Sequence, residues 1–153
     1  MARVSTYLNF PGTTEQAFLF YKSIFGGEFI GRVARFKDAP ADPNCPLSEA
    51  ELNRVLHIEM AILGGHILMG TDAPDTIGMN GVARPKGYLN LEPDSKEEAD
   101  RLFHALALNA TIEMPIQDMF WGAYYGCLID QFGVGWMVNY APINANSNSN
   151  ATQ

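Results

Sequence analysis

The sequence has 153 residues, 47% of them hydrophobic and 18% charged, a globular composition long enough to bury a core and too apolar for a disordered chain. Ten Lys and Arg stand against 17 Asp and Glu, a formal net charge of −7. Nucleic acid and anionic membranes are therefore not expected partners, because both require basic patches.

No run approaches the ~18 consecutive apolar residues of a membrane span. Met1-Ala2-Arg3-Val4-Ser5 opens no apolar leader, and Cys45 and Cys127 lie in no CxxC pair. A reducing cytoplasm is the expected compartment.

Val4 to Phe10 alternates and is rich in strand formers, so it reads as a strand ended by Pro11-Gly12. Thr13-Thr14-Glu15-Gln16 supplies helix-capping chemistry. Ala17, Phe20, Tyr21, Ile24 and Phe25 then recur at helical spacing up to Gly26-Gly27. Glu28 to Phe36 reads as a second strand. Residues 37–53 read as a long loop, with a helical turn within Pro46-Leu47-Ser48-Glu49-Ala50. Val55 to Leu63 and His66 to Thr71 read as two strands joined by a two-residue turn at Gly64-Gly65.

The same order returns after a stretch punctuated by Pro74, Gly78, Gly81 and Pro85. Tyr88-Leu89-Asn90-Leu91 repeats Tyr7-Leu8-Asn9-Phe10 at an offset of 81 residues. Asp94-Ser95 caps a helix with Leu102, Phe103, Leu106 and Ala107 on one face, and Asn109-Ala110 stands where the first helix has Gly-Gly. Strands follow at Thr111 to Gln117, Tyr124 to Asp130 and Val134 to Tyr140. The organisation predicted is a first βαβββ module over 1–72, a linker over 73–86, a second module over 87–141 and a polar tail over 142–153. Asn, Ser, Ala and Thr dominate that tail, which cannot contribute to a core.

A doubled βαβββ unit with Phe20-Tyr21-Lys22-Ser23-Ile24-Phe25-Gly26 on its first helix resembles the vicinal oxygen chelate superfamily of glyoxalases, bleomycin resistance proteins and dioxygenases. His57-Ile58-Glu59-Met60, Met69-Gly70-Thr71-Asp72-Ala73-Pro74, Phe120-Trp121-Gly122 and Asp130-Gln131-Phe132-Gly133-Val134 with Trp136-Met137 resemble its PhnB-like branch. The resemblance covers residues 4–140. It implies an α+β fold of curled mixed sheets, with helices on the convex side, a ligand cleft on the concave side and a homodimer. In metal-dependent members it also implies four ligands, His or Gln on the first strand and Glu on the last strand of each module.

Strand alternation gives Leu8, Phe10, Leu89 and Leu91 to the helix side and Tyr7, Asn9, Tyr88 and Asn90 to the cleft. The four ligand-equivalent positions are then Tyr7, Met69, Tyr88 and Met137, with Thr6 in place of Tyr7 if the strand slips by one. Phenol and thioether are poor donors for a hard or borderline divalent ion. No cofactor is therefore expected and no residue is assigned to a metal, a divalent ion being disfavoured.

His57 and Glu59 share a strand face, opposite Leu56, Ile58, Met60 and Ile62. A carboxylate beside an imidazole orients it and raises its basicity. The pair reads as ligand-orienting, as catalytic, as a displaced metal site, or as a merely solvated strand face. Phe120, Trp121 and Tyr124, with Tyr125, suit a pocket of aromatics with polar handles or an interface. Asp72 either caps a turn or faces the cleft, Asp130 reads as a turn residue, and Cys127 as buried and inert. GxGxxG, GxxxxGK[ST], HExxH and GxSxG are all absent, so methyltransferase chemistry on a doubly wound domain is not expected. The reading is a protein binding a small, partly apolar molecule without the usual metal. The alternative is a glyoxalase-type lyase or isomerase using His57 and Glu59.

Overall fold

A computed structural model describes residues 2–73, 85 and 87–142. Most of the expected linker and all but the first residue of the expected tail lie outside the described residues, as does Pro74 of the Asp72-Ala73-Pro74 motif. The chain divides into two compact units, Met1–Gly81 and Val82–Gln153.

Alternation along Thr6–Phe10 (β1) decides the first unit: Phe10 is buried while Tyr7 and Asn9 are exposed. β1 runs parallel to Ile67–Asp72 (β4), with Tyr7 opposite Met69 and Phe10 opposite Asp72. Val55–Ala61 (β3) runs antiparallel to β4 and places Glu59 opposite Met69. Ala34–Arg35 (β2) completes the order β1-β4-β3-β2.

The helix Thr14–Phe25 (α1) buries Thr14, Ala17, Phe18, Tyr21 and Ile24, the spacing of one helical face. Phe18 replaces Phe20 and Phe25 in the expected stripe, and those two are half-buried. The reason lies in the sheet: a Cβ added at Gly70 would come within 2.5 Å of the Phe18 ring. The bare backbone of β4 thus lets that ring lie directly on the sheet.

The second strand is shorter than the 28–36 predicted. Phe29 makes an isolated bridge to Met60, and regular pairing resumes only at Ala34. Gly31, at φ 70, breaks the extended path between them. Beyond Arg35 a 3-10 turn at Phe36–Asp38 takes over, with the Arg35 N–H donating to the Asp38 carboxylate at 2.8 Å. The helical turn in the loop is Glu49–Leu52 (α2), later than predicted. Ser48 Oγ accepts from the Glu51 N–H at 3.2 Å while the Glu51 carboxylate accepts from the Ser48 N–H at 2.9 Å, a reciprocal cap that sets its start. The β3–β4 connection is a 3-10 turn at Leu63–Gly65.

The second unit repeats the order with Leu89–Leu91 (β5), Lys96–Leu106 (α3), Thr111–Asp118 (β6), Tyr124–Ile129 (β7) and Gly135–Tyr140 (β8). Its sheet runs β5-β8-β7-β6. Ser95 Oγ caps α3 by accepting from the Glu98 N–H at 3.1 Å. Ala99, Leu102, Phe103 and Leu106 of α3 pack over a core with Leu91, Leu128, Trp136 and Val138. Asn109 supplies the left-handed residue at φ 55 that glycine supplies after α1. Asp130 is the expected turn residue: Oδ1 accepts from the N–H groups of Phe132 and Val134, and Oδ2 from the Trp136 indole at 2.9 Å.

The fold is therefore two four-stranded mixed sheets, each built from one strand–helix–strand–strand–strand module. Among the described residues no helix is long and apolar enough to cross a membrane.

Candidate functional site

Each sheet has one face against its helix and one face turned the other way. In the first unit Leu68, Gly70 and Asp72 of β4 are buried on the helix side, which leaves Met69 and Thr71 on the open face. Tyr7 and Asn9 come to that face from β1, and His57 and Glu59 from β3.

Four of these side chains form one array. The Tyr7 hydroxyl lies 3.4 Å from His57 Nδ1, with the two ring centroids 5.9 Å apart. His57 Nε2 lies 3.6 Å from Glu59 Oε2. Glu59 Oε1 lies 3.5 Å from the Arg3 guanidinium. Glu59 is the most enclosed member, its side chain 18% exposed, against 61% for Arg3. Met69, opposite both Tyr7 and Glu59, adds an apolar thioether.

Arg3 was not among the candidates. Its odd phase with Tyr7 and Asn9 was the available signal, but it precedes the strand, where periodicity carries no weight. His66 is half-buried, its Nε2 2.8 Å from Thr6 Oγ1.

Asp72 does not belong to the open face. It is 3% exposed, and its carboxylate accepts from the Thr14 N–H at 3.0 Å, the Thr14 hydroxyl at 2.6 Å and the Val55 N–H at 2.9 Å. Two-residue alternation puts it on the helix side, where it holds the first turn of α1. Of the expected capping run Thr13-Thr14-Glu15-Gln16, Thr13 stands at the cap position and makes no side-chain cap bond.

The second unit has its own open face, with Asn90 from β5, Tyr125 and Cys127 from β7, and Met137 and Asn139 from β8. The Tyr88 hydroxyl donates to the Glu113 carboxylate of β6. The Tyr88 ring lies on Gly135, where an added Cβ would come within 2.6 Å of it. Burial pushes the Tyr125 phenol up to about 12, helped by its hydrogen bond with Cys127 and by the nearby Cys127, Tyr88 and Glu113 charges. Tyr125 is thus a neutral donor throughout the physiological range. Cys127 is half-buried rather than fully buried.

Tyr124 also leaves the expected set. It shares a phase with buried Gly126 and Leu128, and its hydroxyl donates to Asp100 of α3. The Lys96 ammonium lies 4.4 Å from its ring centroid. The hydrogen bond to Asp100, then burial and the Asp100 and Asp118 charges, push its phenol up to about 12. Tyr124 clamps helix to sheet. Phe120, 97% exposed, and Trp121, 54% exposed, stand in the turn between β6 and β7 and stack edge-to-face at 4.8 Å.

The ligand-equivalent positions are not arranged as symmetrically as the repeat implied. Tyr7 pairs with Met69, but Asn90, not Tyr88, pairs with Met137. The parallel register differs by one two-residue step, which preserves the face and changes the partner. The positions offer phenol, thioether and amide groups, and among the described residues no three His, Cys, Asp or Glu side chains converge. Where His57 and Glu59 do meet, the next group is the Arg3 cation. This donor set does not fit a divalent ion.

No family model matches the sequence. The chain is 32% identical over 143 residues to Protein YjdN of Escherichia coli (strain K12), across 89% of this chain and 93% of that one. Among solved structures it is similar to protein PA1353 of Pseudomonas aeruginosa, with a TM-score of 0.76, 32% identity and coverage of 92% and 98% of the two chains. It is also similar to a Bacillus cereus PhnB protein described as a putative 3-demethylubiquinone-9 3-methyltransferase, with a TM-score of 0.72, 28% identity and coverage of 92% and 100%. A glyoxalase/bleomycin resistance protein/dioxygenase family enzyme of Burkholderia phytofirmans PsJN shares the fold at a TM-score of 0.54 and 19% identity, over 90% and 98% of the chains.

Proposed function

The chain belongs to the PhnB-like branch of the vicinal oxygen chelate (glyoxalase/bleomycin resistance/dioxygenase) superfamily, and from that premise we propose that it binds a small, partly apolar molecule without the superfamily's divalent metal. The observation that carries the reading is the Tyr7–His57–Glu59 array beside Met69 on the open face of the first sheet. It combines an adaptable apolar surface with a few polar groups held by one another, as small-molecule sites require. His57 and Glu59 orient the ligand, and Tyr7 and Met69 supply its apolar contact.

Nuclear magnetic resonance tests this. The Met69 methyl and His57 ring signals should move together during titration with partly apolar small molecules. Signals that stay fixed across the panel, in a protein that is folded, remove the reading. Elemental analysis after exposure to Zn, Ni, Mn and Fe should find far less than one ion per chain. One tightly held ion per chain removes the metal-free part.

The 3.6 Å approach of His57 to Glu59 favours a second reading, a glyoxalase-type lyase or isomerase with the imidazole as base. Glu59→Gln then abolishes turnover and leaves the melting temperature nearly unchanged. The methyltransferase description of the Bacillus cereus protein is not carried over, because the sequence has no glycine-rich first loop to hold a nucleotide cofactor.

The reading includes a homodimer, since each open sheet has two edge strands that a second copy can cover. A monomer in analytical ultracentrifugation removes that part. Its compartment is taken as the cytoplasm, in keeping with two free cysteines, one of them exposed.

A further inference from the structure

The Tyr7–His57–Glu59–Arg3 array has a chemical property that its contacts alone do not state. Among the described residues, each ring nitrogen of His57 has one polar neighbour. Nε2 faces a carboxylate oxygen of Glu59, which only accepts, and Nδ1 faces the Tyr7 hydroxyl, which donates or accepts. In the neutral tautomer that carries its proton on Nε2, that N–H lies on the Glu59 side and Nδ1 can accept from Tyr7. In the imidazolium both nitrogens donate and the Tyr7 oxygen accepts. His57 therefore gains a proton at Nδ1 without losing either neighbour.

The charges follow the same logic. With His57 neutral, Arg3 and Glu59 cancel. With His57 protonated, the array carries one net positive charge. Among the described residues, the polar groups at the ring are Tyr7 from β1 and Glu59 from β3, with Arg3 behind Glu59, and its register partner on β2 is Ala34. Tyr7 is 50% exposed, so an incoming molecule can reach its hydroxyl.

We propose that this array takes up a weakly acidic hydroxyl compound as its anion, with Tyr7 and His57 relaying the ligand's proton inward. The inference rests on the reading that the open face of the first sheet is the ligand site. The ligand O–H bond breaks as its proton passes to Tyr7 Oη, and the Tyr7 proton passes to His57 Nδ1. The products are a ligand oxyanion, an imidazolium and an unchanged Glu59 carboxylate, with no change in oxidation state. Tyr7 then donates its new O–H to the oxyanion, a charge-assisted bond stronger than the neutral one it replaces. The oxyanion neutralises the positive charge that the transfer leaves on the array. Glu59 holds the imidazolium and Arg3 holds Glu59.

The test uses 4-nitrophenol, whose absorbance distinguishes phenol from phenolate, and 4-nitroanisole, the same body without the proton. Titrations are run with the whole protein at a pH where free 4-nitrophenol is mostly neutral. The expected result is a phenolate spectrum for the bound probe. Tyr7→Phe and His57→Asn should each lose that spectrum and weaken 4-nitrophenol binding by about tenfold or more, with 4-nitroanisole binding weakened less. Circular dichroism melting confirms that both variants are folded, and Arg3→Gln, at an exposed position, gives a second, weaker reduction.

A neutral spectrum in the wild type overturns the relay and leaves the site reading standing. A phenolate spectrum that survives in Tyr7→Phe or His57→Asn also overturns it. Failure of both probes to bind overturns the relay, and the titration of the Met69 and His57 signals then decides separately whether the site reading falls with it.

Discussion

Thr14 at the start of α1 donates its hydroxyl to Asp72 Oδ1 at 2.6 Å, 58 residues along the chain. The same oxygen accepts the Thr14 N–H, and the other oxygen accepts the N–H of Val55. One buried carboxylate thus joins α1, the end of β4 and the start of β3. A negative charge at a helix N-terminus is favoured by the helix dipole, and bonds to an ionised acceptor are the strong kind.

Removing it should be costly. Asp72→Ala leaves three donors without their acceptor in the core, a loss of about 3 kcal/mol or more. Thermal denaturation should show a melting temperature lower by roughly 6–12 °C. A shift under about 2 °C means that water replaces the carboxylate, and the joint is then not what holds α1.

Gly70 and Gly135 look alike in sequence and should differ on substitution. At Gly70 a Cβ meets the fully buried Phe18 ring and the Thr14 methyl, so Gly70→Ala should cost about 1–3 kcal/mol. At Gly135 it meets the half-buried Tyr88 ring, which can move outward. Gly135→Ala should cost less stability and instead shift Tyr88 away from Glu113, visible as a changed Tyr88 ring signal. Equal losses of stability would contradict this difference in surroundings.

Alkaline stability follows from the raised phenols. Tyr124 and Tyr125 titrate at about 12 in the folded chain and near 10 when unfolded. Between those values the folded state binds more protons than the unfolded one, so stability falls as pH rises. It is fully present below about pH 10 and lost on approach to about pH 12. Urea midpoints measured across that window should fall less steeply in Tyr124→Phe. Parallel curves would place the loss elsewhere.

Arg3→Ala should barely change folding. Its guanidinium is largely exposed, and such pairs contribute about 0–1 kcal/mol. High salt should erase even that difference, since exposed pairs are screened. A loss of 2 kcal/mol or more would make Arg3 a structural residue and remove it from the array.

The face on which most candidate residues lie was legible from alternation alone. Tyr7, Asn9, His57, Glu59, Met69 and Met137 fall on the open faces that their strand phase assigned. Asp72 and Tyr124 were assigned by their neighbourhood rather than by their phase, and phase governed both. Asp72 is in step with Leu68 and Gly70, and Tyr124 with Gly126 and Leu128. Arg3 was missed because three residues before β1 no periodicity constrains a side chain.

The element order, the doubled module and the faces of the strands follow from sequence by itself, because hydrophobic periods of 2 and 3.6 are local properties of the chain. Partnerships do not. That Tyr7 meets Met69 while Asn90 meets Met137 depends on how parallel strands slide by two residues, a step that leaves every side chain on its own face. That Asp72 caps α1 depends on three segments meeting in the core. Only tertiary packing decides between registers that local patterning leaves equal in energy.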